Sequence, residues 1–192
     1  MDLSGLQLRS QRLTLSAYAP ADAPEAFAAI TPSLARWMSW EPPATVEELA
    51  VVLGSLIAQM KAGRAFDPAV IRLAATGEFL GLCGIHKLDA PEPEPGIWIK
   101  QAAHGHGYGR EAVKALIDWA GAELGFVSAV YPVAEQNTPS RRLAEALGGV
   151  LVGRRPLVKP SGARLTLVVY RIPTAGGFPS PLAGEGVGEA DG

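Results

Sequence analysis

Seven consecutive residues offer the clearest chemistry in this chain: His104, Gly105, His106, Gly107, Tyr108, Gly109 and Arg110. Glycines at alternate positions, directly before an amphipathic helical stretch, leave backbone N–H groups uncovered where a helix dipole is positive. That combination makes an anion site. Glycine hydrogens admit the close approach of a diphosphate that a side chain would block. The plain alternative is a tight turn with no ligand. A dinucleotide fold would need G-x-G-x-x-G at the first strand–helix junction and an acid after the next strand. Here the spacing is G-x-G-x-G, deep in the chain, although Glu135 follows the next strand roughly where that acid would stand. A P-loop would need a lysine after its last glycine, and none follows. What is left is a phosphate-bearing cofactor held by consecutive N–H groups without a metal. His104 and His106, two apart in a loop with no further ligand nearby, do not have zinc spacing, and no metal is expected.

The surrounding pattern predicts the elements that hold this loop. Residues 96–101 (Gly-Ile-Trp-Ile-Lys-Gln) read as a strand leading into it. Residues 110–124 read as the helix leaving it, with Val113, Leu116, Ile117, Ala120 and Leu124 on one stripe and Gly125 as the stop. Residues 126–133 are β-rich and mostly apolar, as in a buried strand. Thr138 and Pro139 suit the N-cap and first position of a helix running to Leu147, which Gly148 and Gly149 end. Upstream, Leu13 and Leu15 alternate with Arg12 and Thr14 in a strand over 11–18, and a short helix covers 22–30. Thr45 to Glu48 is a capping box. It opens a helix with Leu49, Val52, Leu53, Leu56, Ile57 and Met60 on one face and Gly63 at its end. Strands over 69–75 and 78–88 flank a Thr76-Gly77 turn. Strands over 150–154 and 164–172 complete the set, and there is no internal repeat.

Composition bounds the rest. The chain has 192 residues, 48% of them hydrophobic, enough for one sizeable core and short for two domains. A single domain over 1–172 is expected. From residue 173 the chain turns to Gly, Pro, Ala and acid, too poor in apolar surface to order itself, so 173–192 reads as a disordered tail. Net charge is −2, from 17 basic and 19 acidic side chains, without the basic stripe of a nucleic-acid binder. The one cysteine, Cys83, excludes an intrachain disulfide and sits in an apolar run as a buried thiol would. No apolar stretch approaches the about 20 residues of a membrane span, and the N-terminal residues lack a signal-peptide pattern. A cytoplasmic protein without a membrane partner is expected, and the apolar surplus permits a homodimer.

The strand–loop–helix over 97–124 resembles the acetyl-CoA-binding core of the GNAT (GCN5-related N-acetyltransferase) family. The family pattern Gln/Arg-x-x-Gly-x-Gly/Ala is matched by His104-x-x-Gly107-x-Gly109, with histidine in first place. The chain further resembles the ribosomal-protein-alanine acetyltransferase-like branch. The residues that carry this are Arg12-Leu13-Thr14-Leu15, Trp37-Met38-Ser39-Trp40, Gly84-Ile85-His86 and Asn137-x-x-Ser140-Arg141-Arg142 before a helix ending Leu147-Gly148. The likeness covers roughly residues 8–172.

The resemblance implies an α/β fold: a mixed, mostly antiparallel central sheet of about six to seven strands, splayed in the middle, with helices on both faces. It implies an N-acetyltransferase that moves acetyl from acetyl-CoA to a primary amine, on a protein N-terminus or a small molecule, by direct attack in a ternary complex. The cofactor's pyrophosphate would lie on the N–H groups of Gly105, His106, Gly107, Tyr108, Gly109 and Arg110, with His104 flanking. Its pantetheine would run along residues 97–101, touching Ile99, Lys100 and Gln101, and a strand N–H would polarise the thioester carbonyl. Ser140 is the candidate acid at the thiolate, or simply a residue suited to the first turn of a helix. Asn137 would bond the pantetheine, or begin the turn to Pro139. Many members carry a tyrosine four residues after the Ser140 position; here that place is Ala144. The general base is Glu135 or His86, each of which is also acceptable as a surface group. Glu41, near the acceptor entrance of the branch, would attract a cationic amine. The missing tyrosine keeps a second reading open, a non-catalytic acyl-CoA-binding module.

Overall fold

The structure, a computed structural model, describes residues 1–175. A five-stranded sheet runs in the order β1 (Gln7–Arg9), β2 (Leu13–Ala17), β3 (Phe66–Leu73), β4 (Phe79–His86), β5 (Glu94–Ile99). A three-stranded sheet has β8 (Arg164–Pro173) between β6 (Ser128–Ala134) and β7 (Val150–Val158). Every pairing within the two sheets is antiparallel. β1 brings the number of strands to eight; its three residues are too short a run to show a period in the sequence.

The expected splay is a complete parting. β5 and β6 meet where Val130 N–H donates to Pro93 O at 2.9 Å, and no ladder joins them. Strand alternation sends one side-chain set to each face of the larger sheet. Val70, Leu82 and Trp98 pack with α1 (Ala23–Ala29), α2 (Pro32–Ala35) and α3 (Val46–Lys61) through Ala26, Leu34, Leu49 and Leu53. Ala69, Cys83 and Ile99 pack on the other face with Ala112, Leu116 and Ala120 of α4 (Tyr108–Leu124). Covered on both sides, β4 is buried from Phe79 to Ile85, which is why its sequence is a continuous apolar run rather than an alternation. Val113 and Ile117 of α4 and Ala144 of α5 (Thr138–Ala146) close a third cluster over β6 and β8.

Thr45 caps α3 as expected, accepting from Glu48 N–H at 3.1 Å, but the Glu48 carboxylate reaches Ala44 N–H rather than Thr45 N–H. In α5 the cap is Asn137, not Thr138: its Oδ1 accepts from Ser140 N–H at 3.4 Å, and Thr138 is the first helical residue. β8 continues through Pro173, and Thr174 donates its hydroxyl to Phe126 O at 2.9 Å and lies against Gly121. The fold therefore takes up two residues beyond the boundary expected at 172, and the rest of the tail, 176–192, lies outside the described residues.

Gly81 is the tightest point of the β4–β5 pair. A Cβ there would stand 2.1 Å from the Trp98 carbonyl oxygen and 2.9 Å from Ile99 Cα. Both are backbone atoms in a paired strand, so they cannot yield as a side-chain tip can. Gly81→Ala is expected to cost roughly 2–4 kcal/mol of stability, read by chemical denaturation.

Candidate active site

The loop before α4 is built to present N–H groups. Gly105 and Gly107 adopt φ of 80° and 77°, in the left-handed region that glycine tolerates best, and Gly107 caps the helix without a side chain. These turns aim the peptide groups outward. From residue 105 to 110, six consecutive N–H groups have no protein acceptor among the described residues. Glu111 in the same first turn would repel an anion, but its charge is taken up. It accepts from Ser10 Oγ, Arg12 N–H and Arg12 Nε, each at 2.7 Å. Burial pushes the Glu111 carboxyl upward, and these bonds together outweigh it and hold the group below its ordinary value.

Arg12 also braces the loop from outside. Its Nη1 donates to His106 O at 3.1 Å, and its guanidinium stacks 4.7 Å from the Tyr108 ring centroid, which in turn stacks on His106. His104 ties the loop to β5 through a 2.7 Å bond between its Nε2 and Ile99 O. The guanidinium of Arg110 is exposed and makes no ion pair among the described residues. A diphosphate fits this cradle, whose open N–H groups call for an anion.

The parted edge of β5 leads away from the loop. Lys100 N–H donates to Leu80 O at 2.7 Å, toward β4. The Ile99 carbonyl, bound by His104, points the other way. By strand alternation the N–H groups of Ile97 and Ile99 face the gap between β5 and β6. Lys100 turns away from that gap in both respects, since its Nζ pairs with Glu78 at 2.7 Å. Gln101 lies beyond the strand, in a 3-10 turn of Gln101–Ala103, and is exposed. The residues of this edge whose N–H groups open onto the gap are therefore Ile97 and Ile99. Gly109 faces the same gap; a Cβ on it would lie 3.4 Å from Leu143 Cδ1 and 3.7 Å from Ile99 Cγ1.

On the α5 side of the gap, Ser140 Oγ and Tyr131 Oη share a 2.8 Å hydrogen bond. Tyr131 is buried in β6, and burial raises its phenol above the ordinary value while the Ser140 bond lowers it. The sequence singles out Ser140 and not Tyr131, which looks like any aromatic in a buried strand. Asn137 spends its Oδ1 on the α5 cap and keeps an amide NH2 with no protein acceptor among the described residues.

A cavity of about 440 Å³ opens beside β5, lined by Trp40, Leu53, Asp67, His86, Ile97 and Trp98 among others. His86 ends β4, half exposed, with its Nδ1 3.5 Å from Asp67 Oδ2. Asp67 sits mostly buried in β3; burial raises its carboxyl, and His86 opposes that rise. Its place depends on Gly84, where a Cβ would fall 2.1 Å from Asp67 Oδ1 and 2.5 Å from Asp67 Cβ. Nothing in the sequence distinguishes Asp67 from an ordinary strand-edge acid, because only the β3–β4 pairing brings it to His86.

Glu135 takes a different position. Its Oε1 pairs with Arg154 of β7 at 3.1 Å, and it is absent from the cavity wall. Glu41 is on the rim, but it already accepts from Ser161 Oγ at 2.6 Å and faces Lys159 at 3.5 Å, so its charge is largely answered. A larger groove, about 990 Å³, runs behind α4 between Gln7–Arg12 and Ile172–Ala175. It touches the glycine loop only at Gly107 and Arg110 and includes no residue of β5, so it gives no route to the parted strands. Among the described residues no three His, Cys, Asp or Glu side chains are grouped to hold a metal, and no helix is long and apolar enough to cross a membrane.

A family profile, the acetyltransferase (GNAT) domain, matches residues 12–150. The chain belongs to the GNAT acetyltransferase family. It is 32% identical to the solved acetyltransferase of Agrobacterium tumefaciens, with 86% of this chain and 93% of that one covered and a TM-score of 0.67. RimJ of Mycobacterium smegmatis, solved with a CoA disulfide, shares the fold at 22% identity and a TM-score of 0.74, covering 88% and 86% of the two chains. RimL, a ribosomal L7/L12 α-N-protein acetyltransferase solved with coenzyme A, does so at 17% identity and a TM-score of 0.77, covering 88% and 98%. No curated protein matches the sequence. As a GNAT acetyltransferase the chain is an acetyl-CoA-dependent acyltransferase. The glycine loop and the parted β5–β6 edge are where this chain has the groups to hold that donor.

Proposed function

We propose that this GNAT enzyme transfers acetyl from acetyl-CoA to a primary amine that enters the cavity beside His86. The observation that carries the reading is that Ile97 belongs both to the wall of that cavity and to the open edge of β5. An amine in the cavity thus meets a thioester on the edge.

The acetyl thioester is the only reactive group acetyl-CoA needs to supply. The protein's own part is positioning and proton traffic. The N–H groups of residues 105–110 would hold the pyrophosphate, and the N–H of Ile97 or Ile99 would face the thioester oxygen as negative charge builds on it. His86 takes a proton from the entering ammonium, and Asp67 orients the imidazole and stabilises its charge. The amine nitrogen forms its bond to the acetyl carbon, the carbon–sulfur bond breaks, the sulfur receives a proton from Ser140, which Tyr131 backs, and the second proton shed by the nitrogen restores the Ser140 hydroxyl. Glu135, held by Arg154, stays outside this path. The edge strand β7, with Val150, Leu151, Val152 and Val158 exposed, is where a homodimer contact would form.

The direct test is release of free CoA thiol on adding primary amines to enzyme and acetyl-CoA. Amine-dependent release supports the reading, and release independent of every amine would remove it. Ser140→Ala is expected to lower kcat about 100-fold or more with little change in acetyl-CoA affinity, as for a proton donor removed from the reacting centre. An unchanged kcat would take Ser140 out of the reaction.

A further inference from the structure

The cavity beside His86 restricts the acceptor beyond its being an amine. Leu49, Leu53 and Leu56 of α3 face Met38, Trp40 and Trp98 across it. Besides the buried Cys83 thiol, four ionisable side chains line it, Glu41, Glu48, Asp67 and His86, and among the described residues no lysine or arginine does. Glu48 is occupied by Ala44 N–H at 2.7 Å, and Glu41 by Ser161 and Lys159. That leaves Asp67, whose one charged partner among the described residues is His86 at 3.5 Å, as the least answered carboxylate on this wall. Lys159 approaches from the β7–β8 hairpin but is itself buried, with Nζ bonded to Ala35 O at 3.2 Å. Together with the Ser161–Glu41 bond, this fastens the hairpin tip to α2 and to the cavity rim.

Three consequences follow for a guest. A carboxylate on the acceptor would be desolvated beside Glu41, Glu48 and Asp67, where the one basic side chain of the wall among the described residues, His86, is already paired with Asp67. A peptide continuing past its first residue would bring N–H and C=O groups against walls that offer few partners, at a rim already bridged. An apolar body would instead gain by leaving water.

We infer that, within the proposed amine acetylation, the acceptor is a compact primary amine with an apolar body and no carboxylate, not an amino acid or a protein N-terminus. The inference rests on the proposed function and can fail without it.

A matched series separates the two. Thiol release is measured with 2-phenylethylamine, with phenylalanine, which adds the carboxylate, and with a phenylalanine-led tetrapeptide, which adds main chain. The expected kcat/KM for 2-phenylethylamine exceeds the other two by at least about a hundredfold, given the penalty on unpaired buried groups. Equal or better turnover of phenylalanine or the peptide overturns the inference and leaves amine acetylation standing. Refusal of 2-phenylethylamine while a polyamine is acetylated does the same. Refusal of these and every other primary amine by enzyme that binds acetyl-CoA removes the proposed function, and the inference with it. Val52→Arg places a cation on the cavity rim at an exposed position where folding is not at stake. It is expected to raise phenylalanine turnover relative to 2-phenylethylamine about tenfold, in line with a new ion pair. An unmoved ratio would contradict the charge argument.

Discussion

Gly107→Val is expected to abolish acetyl-CoA binding in a protein that still folds. Gly107 has a φ of 77°, and a Cβ there would find open space, with Arg12 Nη2 the nearest atom at 3.7 Å. The obstacle is therefore backbone strain, about 1–2 kcal/mol for a side chain in the left-handed region. A β-branched residue relieves that strain by rotating its peptide, and the rotation turns N–H groups of residues 107 and 108 away from the anion. The valine side chain also stands where the pyrophosphate must approach. The expected Kd rises at least about a hundredfold, or some 2.7 kcal/mol, while α4 keeps its docking on β5 through Ala112 and Leu116. Calorimetric titration gives the affinity and a thermal melt reports the fold. An unchanged Kd would mean that the loop is only a turn.

His86→Ala is the second large effect. Loss of a general base costs about 10²–10⁴ in rate, and this one is separate from the cofactor loop, so acetyl-CoA affinity should hold while kcat falls. Asp67→Asn keeps the shape that Gly84 accommodates and removes only the charge beside Nδ1. It is expected to lower kcat by less than His86→Ala, without a comparable loss of stability, because burial already opposes the Asp67 charge. Stopped-assay kinetics of thiol release on both variants decide the point. A His86→Ala enzyme with full kcat would send the proton to solvent and leave the dyad a surface contact.

How much of this was legible in the sequence depended on how local the signal is. The glycine loop could be read because spacing, helix start and N–H exposure all lie within seven residues. The helices over α3 and α4 and the Thr76-Gly77 hairpin were legible for the same reason. α2, four residues long, shows no period at all. Asp67 and His86 lie 19 positions apart and meet only through the β3–β4 pairing, whose register shifts between Phe66 and Ala69. Tyr131 is singled out by the bond it makes to Ser140, nine residues away on another element. The sequence gives Glu135 and His86 equal standing as bases. Only the placement of Arg154 beside one, and of a cavity beside the other, separates them.

The most direct test of the account is a crystal structure of the full chain with coenzyme A bound. The pyrophosphate is expected on the N–H groups of residues 105–110, the pantetheine along the open edge of β5, and the sulfur between Ile97 and Ser140 at the mouth of the His86 cavity. Coenzyme A lodged in the groove between Gln7–Arg12 and the back of α4, with the β5–β6 gap empty, would contradict it.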